Sequence, residues 1–597
     1  MKYYCNPVNI NYRYQFIEVP GSDGAVQVAR EAADPSMICF HGKYYIFASM
    51  TLGVWISEDL AEWENHRLPE GLPLYDYAPD ARVVGEYVYL CASHKEYPCD
   101  YYRTKDILNG PYEKIEGTFD FWDPGLFVDD DGRFYFYWGS GNTEPIWGVE
   151  LDPVTMKPLS ERLPMFDSDA RLRGYERGGE DHTLPPLEED EIADAYREYL
   201  DAKGAREEDV PDQIALMLKG IVSRKPFIEG PWMNKYKGRY YLQYACPGTE
   251  FNIYADGVYV SDRPLGPFVL AKNNPYSYKV GGFLQGAGHG STMEDLSGNY
   301  WHASTTRISK NHIFERRVGI WPAGFDQDGE LFCNQRYGDW PIMVTGDTQD
   351  PWQPPKWYLL SYGKKVSASS FHADKKPELV TDENIQTWWQ AASGHSGEWL
   401  EMNLGEVYSV HAVQINFADD AINIPVPGKI HSTDQKRYIE ERNLKTRWIL
   451  EGSEDGECYF QMMDKSGVDT DLSHDLVVCE KGINIRFLKL TILEVPYDQK
   501  PCISGFRVFG VGNGDKPEIP EYEVIRTQDL DMNVKVSGRG AAGYNILWGH
   551  EPDKLYHSCM LFGEEQHIGA LVKGEQYYMR VDAFNENGIT EGKLRKI

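Results

Sequence analysis

Five times in the first 345 residues, a short segment led by an acidic residue or a histidine runs into a glycine turn and then an aromatic strand. The segments are ADPSMICFHGKYYIFAS from Ala33, APDARVVGEYVYLCAS from Ala78, WDPGLFVDDDGRFYFYWGS from Trp122, IEGPWMNKYKGRYYLQYA from Ile228 and GHGSTMEDLSGNYWHAS from Gly288. Their lead residues are Asp34, Asp80, Asp123, Glu229 and His289, and their turn glycines are Gly42, Gly85, Gly132, Gly238 and Gly298. Alternating apolar residues on both arms make each unit a β-hairpin. The leads recur after 46, 43, 106 and 60 residues, against about 40 to 50 residues per blade in a four-stranded propeller. The spacing predicts a five-bladed β-propeller over 1–345 with one insertion between the third and fourth units.

The insertion, about 185–220, carries helix formers in LEEDEIADAYREYLDAKG from Leu187 and VPDQIALMLKG from Val210, with Ile192, Ala195, Tyr196 and Tyr199 spaced for one apolar face. A helical hairpin here is either a lid over a pocket beside the fourth blade or a surface elaboration. Residues 346–355 are proline-rich and read as a linker. Strands dominate 356–512, read as a jelly-roll β-sandwich, and 517–597 reads as a seven-stranded immunoglobulin-like sandwich. The chain is all-β, in keeping with its 16 Trp, 40 Tyr, 24 Phe, 56 Gly and 35 Pro.

With 60 Lys and Arg against 92 Asp and Glu, the formal net charge is −32. Such a chain repels phosphate backbones and anionic headgroups, which excludes nucleic acid and membrane as partners; oligomeric state is not legible. The first residues, MKYYCNPVNINYRYQF, hold no apolar stretch of signal-peptide length, so a cytoplasmic location is expected. Ten cysteines without metal-ligand spacing read as reduced thiols.

In a propeller the inner strands converge on one mouth of the central channel, so equivalent leads face one pocket across more than 250 residues of sequence. Carboxylates crowded there cannot all ionise freely, which splits their pKa values as acid–base work at one bond requires. Any single Asp-Pro is also a common turn initiator; the constellation carries the functional reading.

ADPS, WDP followed by FVDDDGRFYFYWG, EGPW and GHGS, in that order over about 30–335, resemble the motifs of glycoside hydrolase family 43. The resemblance implies a five-bladed propeller acting on arabinose-, xylose- and some galactose-containing plant glycans with inversion. It makes Asp34 the general base, Glu229 the general acid, and Asp123 the residue that orients the acid and tunes its pKa. Asp80 matches a second-blade motif, and His289 matches a pocket-floor histidine that sits close to a cation in some members. Arg316 or Arg317 matches a late arginine against the pocket acids; adjacent residues on a strand alternate faces, so at most one points inward. Trp122 and Trp232 either stack on sugar faces or pack between blades.

TDENIQTWWQ from Thr381, EWLEMNLG from Glu398, RFLKL from Arg486 and SGFRVFG from Ser504 resemble discoidin-like (F5/8 type C) domains. That family often holds a structural calcium where Asp382 and Thr387 would match, although its usual C-terminal acidic ligand is replaced around Gly505. Trp388 and Trp389 are adjacent, so one is expected in the core and one exposed. GYNILWG and YYMRVDAFNENG resemble fibronectin type III. The resulting expectation is a glycosidase needing no cofactor and releasing terminal sugars from oligosaccharides, of α-L-arabinofuranosidase or β-xylosidase type. The alternatives are galactosidase or galactofuranosidase specificity on the same fold, and a non-catalytic carbohydrate-binding protein.

Overall fold

The computed structural model describes all residues except 20–23, 70, 73–76, 94–98, 117, 309 and 431–435, and in it each repeat opens an antiparallel sheet. Blade one is Ser36–Phe40, Lys43–Phe47, Gly53–Ser57 and Glu64–Arg67; blade two is Asp80–Val84, Tyr87–Cys91, Tyr101–Thr104 and Glu113–Ile115. Blade three is Gly125–Val128, Phe134–Trp138, Ile146–Leu151 and Leu163–Phe166. Blade four is Ile228–Tyr236, Arg239–Cys246, Ala255–Ser261 and Val269–Leu270, with Ser140–Gly141 added beside its first strand; blade five is Gln285–Glu294, Tyr300–Arg307, Arg316–Phe325 and Leu331–Cys333. The first strands touch in the order one, two, three, four, five and back to one, closing a ring.

Local chemistry fixes this pattern. All five turn glycines sit at φ between +60° and +82°, the left-handed region that a side chain disfavours. Blades meet through apolar faces: Ile38, Phe40, Tyr45 and Val54 of blade one pack on Ala81, Val88 and Leu90 of blade two. Each large apolar side chain so buried contributes about 1.5 to 3 kcal/mol.

The insertion forms helix α1 (Glu189–Lys203) and helix α2 (Asp212–Val222). A Glu188/Glu191 capping box starts α1 and Gly204, at φ +65°, ends it. Tyr196 and Leu200 of α1 are buried, whereas Leu216, Met217 and Ile221 of α2 are exposed. Among the described residues no helix is long and apolar enough to cross a membrane.

The middle region is built on two 21-residue strands, Glu398–Ala418 and His474–Glu494, which pair along their length through two bulges. Leu400, Trp448, Leu490 and Phe506 lie in its core. Trp388 and Trp389 are both buried there, contrary to the expectation that one is exposed: Trp389 is core, and Trp388 is covered by the Lys375 ammonium 3.6 Å from its ring centre.

The C-terminal region pairs a sheet of Glu521–Gln528, Asp531–Ser537 and Glu565–Ile568 with a second built on Gly543–Gly549, His557–Leu561 and Tyr578–Asn585. It has eight described strands of its own rather than seven, because the last is interrupted: Gly588–Thr590 and Arg595–Lys596 pair with opposite ends of Tyr578–Asn585.

The regions are welded together. Tyr14–Glu18 pairs on one side with Val26–Arg30 and on the other with Arg437–Ile439 of the middle region. Lys279–Gly281, between blades four and five, runs parallel to His557–Leu561. Arg177, ahead of the helices, donates to both carboxylate oxygens of Asp531 at 2.9 and 3.2 Å. Even the proline-rich stretch is packed, with Trp352 against Phe332 and Tyr556.

Candidate active site

The blade entries share a backbone device. Asp34, Ala78, Asp123, Gly230 and His289 all sit at φ between +48° and +57°. In blades one to three the N–H at this position donates to a hydroxyl at the end of the second strand of the preceding blade: Asp34 to Thr305 (2.8 Å), Ala78 to Ser49 (2.7 Å) and Asp123 to Ser93 (2.8 Å). In blade five the carboxylate of Asp256 takes over, accepting the N–H groups of His289 (2.7 Å) and Gly290 (3.1 Å). The true register is therefore DPS, APD, DPG, GPW and HGS, aligned on the proline or its replacement.

This register corrects the sequence alignment, which put Asp80 and Glu229 in step with Asp34. Asp80 lies two residues past the entry position, where Ser36 and Ser291 are its counterparts. Each of the three accepts an N–H from the next blade: Ser36 from Ala81 (2.9 Å), Asp80 from Leu126 (2.7 Å) and Ser291 from Met37 (2.9 Å). Asp80 is thus a blade-to-blade tie, its other oxygen held by Arg82 at 3.1 Å, and it does not line the cavity. Trp232 has the same place in blade four. Its indole N–H donates to the Thr292 carbonyl (3.1 Å) and the Arg82 guanidinium lies 3.1 Å from its ring centre, so it packs between blades and does not line the cavity.

Asp34, Asp123, Glu229, His289, Arg316 and Trp122 do converge, on a cavity of about 330 Å³. Tyr77, Ser140, Phe227, Thr249 and Phe314 complete its lining and escaped the sequence reading. For Tyr77 a signal existed: it directly precedes an X-Pro entry, as Trp122 does. Arg317 points the other way, donating to the Arg30 carbonyl (2.6 Å) and to His474 Nε2 (3.1 Å). Among the described residues none of α1 or α2 lines the cavity; α2 braces the neighbouring loop, where Asn142 donates to the Gly220 carbonyl at 2.7 Å.

The carboxylates have distinct surroundings. Asp34 accepts from the Ser49 hydroxyl at 2.5 Å and from Arg316 Nη1 at 3.4 Å. Burial pushes its pKa up, but the Arg316 and His289 charges and the Ser49 and Thr305 hydroxyls outweigh it and hold the group below the ordinary aspartate value. Asp123 has no arginine. Burial, with the charges of Glu229 and Asp34, drives it up to about 7 against the pull of His289. His289 Nδ1 stands between them, 3.5 Å from Asp34 and 3.8 Å from Asp123; burial lowers its pKa, yet the surrounding carboxylates raise it above the usual histidine value. Glu229 is gripped by two hydroxyls, Tyr254 at 2.6 Å and Ser140 at 3.0 Å. Gly230 beside it is obligatory: a Cβ there would lie 2.5 to 2.7 Å from three atoms of the His289 ring.

His289 Nδ1 faces carboxylates, and among the described residues no group of three or more His, Cys, Asp or Glu is disposed to hold a metal ion. At the middle region's calcium candidate, the Asp382 carboxylate accepts from Asn384 N–H (3.0 Å) and Thr387 (2.6 Å), and neighbouring Glu383 is bound to Arg507 at 2.7 Å.

The model of the glycosyl hydrolases family 43 matches residues 26–177 and 200–331, from blade one to the start of the last strand of blade five, and leaves out most of α1. The protein is a glycosidase, hydrolysing O-glycosyl bonds. Its propeller belongs to glycosyl hydrolases family 43. The chain is 25% identical over 343 residues to a "Xylosidase/arabinosidase 43A" of Humicola insolens, spanning 50% of this chain and 95% of that protein. It is 30% identical over 199 residues to a "Beta-xylosidase" of Xylanibacter ruminicola, spanning 31% and 52%. Among solved structures, the GH43 BlXynB protein of Bacillus licheniformis is similar over 100% of this chain and 97% of its own, at 15% identity and a TM-score of 0.39.

Proposed function

We propose that the propeller releases single terminal xylose or arabinofuranose units from oligosaccharides by one-step, inverting acid–base hydrolysis. The observation that carries this is the unequal treatment of the converging acids: Asp34 is braced by Arg316 and two hydroxyls, which favours its ionised, proton-accepting form, while Glu229 faces the same cavity with two hydroxyl partners and, among the described residues, no ion pair. In this reading Asp34 takes the proton of a water attacking the anomeric carbon, and Glu229 gives its proton to the departing oxygen. Asp123 keeps His289 and Glu229 in position. Trp122 and Tyr77 offer aromatic faces to the sugar ring.

Two observations support the substrate class. The cavity volume, about 330 Å³, is at the lower end of the ~300 to 1,000 Å³ of ligand pockets, which suits one terminal unit. The named relatives are xylosidases or arabinosidases. We read the middle and C-terminal sandwiches as discoidin-like and fibronectin III-like supports of the propeller, in keeping with their welded strands.

The test is a panel of aryl arabinofuranoside, xyloside, galactoside and galactofuranoside with wild type, Asp34→Asn and Glu229→Gln. Each variant is expected to lose turnover by about 10²- to 10⁴-fold, and NMR is expected to show the inverted anomer released first. Turnover unchanged in either variant refutes the roles; preference for a galactoside refutes the specificity.

A further inference from the structure

We propose that Arg437, carried in from the middle region, is a positioning residue of the propeller's active site. Through Glu31 it sets Arg316 against Asp34, and through a second arm it fixes Tyr77 in the cavity wall. The inference rests on the reading of Asp34 as the base.

Arg437 opens the short strand Arg437–Ile439, which pairs with Tyr14–Glu18 so that Arg437 lies opposite Ile17. The next residue, Tyr438, anchors that strand against Phe16, their rings 5.8 Å apart and edge-on. Arg437 and Glu31 are each 1% exposed. Glu31 bridges two guanidiniums: one oxygen accepts Arg316 Nε at 2.9 Å and the other accepts Arg437 Nη1 at 3.0 Å. Arg316 Nη1 then reaches Asp34 at 3.4 Å and the Thr249 hydroxyl at 3.3 Å. The second arm of Arg437, Nη2, donates to the Tyr77 hydroxyl at 2.6 Å. Charge alternates along the row Arg437, Glu31, Arg316, Asp34, so every ion in it is matched.

Without Arg437 that balance fails. Glu31, with one oxygen stripped of its partner, competes with Asp34 for the single guanidinium of Arg316. Asp34 is also faced by His289, by the Ser49 and Thr305 hydroxyls, by the Tyr254 phenol and by the carboxyl of Asp123, which repels it when ionised, and the substitution alters none of these. The base therefore holds its proton to higher pH, and the acid limb of kcat/KM moves upward. Tyr77, released from its anchor, lets bound substrate wander, and displacement on the scale of 1 Å costs up to about 10²-fold in rate.

The experiment uses the full-length chain, with thermal melts to verify folding and kcat/KM against pH on the preferred aryl glycoside. Arg437→Met is expected to lower kcat/KM about 10- to 100-fold and to shift the acid limb to higher pH. Adding Glu31→Gln is expected to return the limb toward wild type, because a neutral amide no longer competes for Arg316; a merely architectural role predicts no such return. A folded Arg437→Met with wild-type rate and limb overturns the proposal. Should Arg437→Met not fold, Arg437→Lys takes its place: lower kcat/KM with an unmoved limb is expected, and wild-type kcat/KM overturns it. Asp34→Asn is run alongside. An active Asp34→Asn removes the reading of the base, whereas an inactive one beside an indifferent Arg437 variant removes this inference alone.

Discussion

Replacing Asp123 by Asn should cripple the enzyme and stabilise it, increasingly so as pH rises. Asp123 is 5% exposed and its pKa stands at about 7, against ~3.9 in an unfolded chain. The folded state therefore binds this proton more tightly than the unfolded state does. Stability is full below about pH 4 and is lost as pH rises toward 7, when the buried carboxyl is forced to ionise. Three pKa units correspond to about 4 kcal/mol in total, of which about 2 to 3 kcal/mol falls between pH 5 and pH 8. Asn has the same shape and no proton to lose, so its advantage over wild type should grow by that amount across the interval. If the propeller melts as one unit, the gain is roughly 3 to 4 °C in Tm. Urea and thermal unfolding of both proteins at pH 5 and pH 8 measure it, with turnover on the aryl glycoside as the companion assay. A stability difference that is the same at both pH values would refute the assignment of Asp123 as the strained acid of the site.

Trp122→Ala is expected to raise KM with little change in Tm, and Trp232→Phe to lower Tm with KM unchanged; the opposite pattern would return Trp232 to the sugar site. Gly230→Ala combines a left-handed backbone costing about 1 to 2 kcal/mol for a side chain with a collision against the His289 ring. It should lower both Tm and kcat, and an Ala variant with wild-type kcat would mean that the ring is not fixed by this contact.

The propeller was legible because its repeat is punctuated by glycines that must sit at positive φ, as Gly42 and Gly298 do. Asp34, Asp123, Glu229, His289 and Arg316 were legible as a set because blade entries converge. The register within each entry is not legible from the positions of the acids: the backbone aligns on the residue before proline, which in blade two is Ala78, and Asp80 belongs to the ties between blades. Trp232 failed for the same reason. Tyr254, which holds Glu229, and Glu31, which holds Arg316, follow no motif. Arg437 lies 360 residues from the Tyr77 it binds, and no local pattern reports a contact made across regions.

The parallel pairing of Lys279–Gly281 with His557–Leu561 sets a timetable for making the protein. Residue 281 is synthesised some 280 residues before its partner, which at ~5 to 20 residues per second is roughly 14 to 55 seconds. For that interval the stretch between blades four and five has an unsatisfied edge, the kind of backbone that pairs with the wrong chain. The last sheet to be made is thus the one that shields it, and a newly made chain is most prone to aggregate after its propeller has been translated and before its final sandwich has folded.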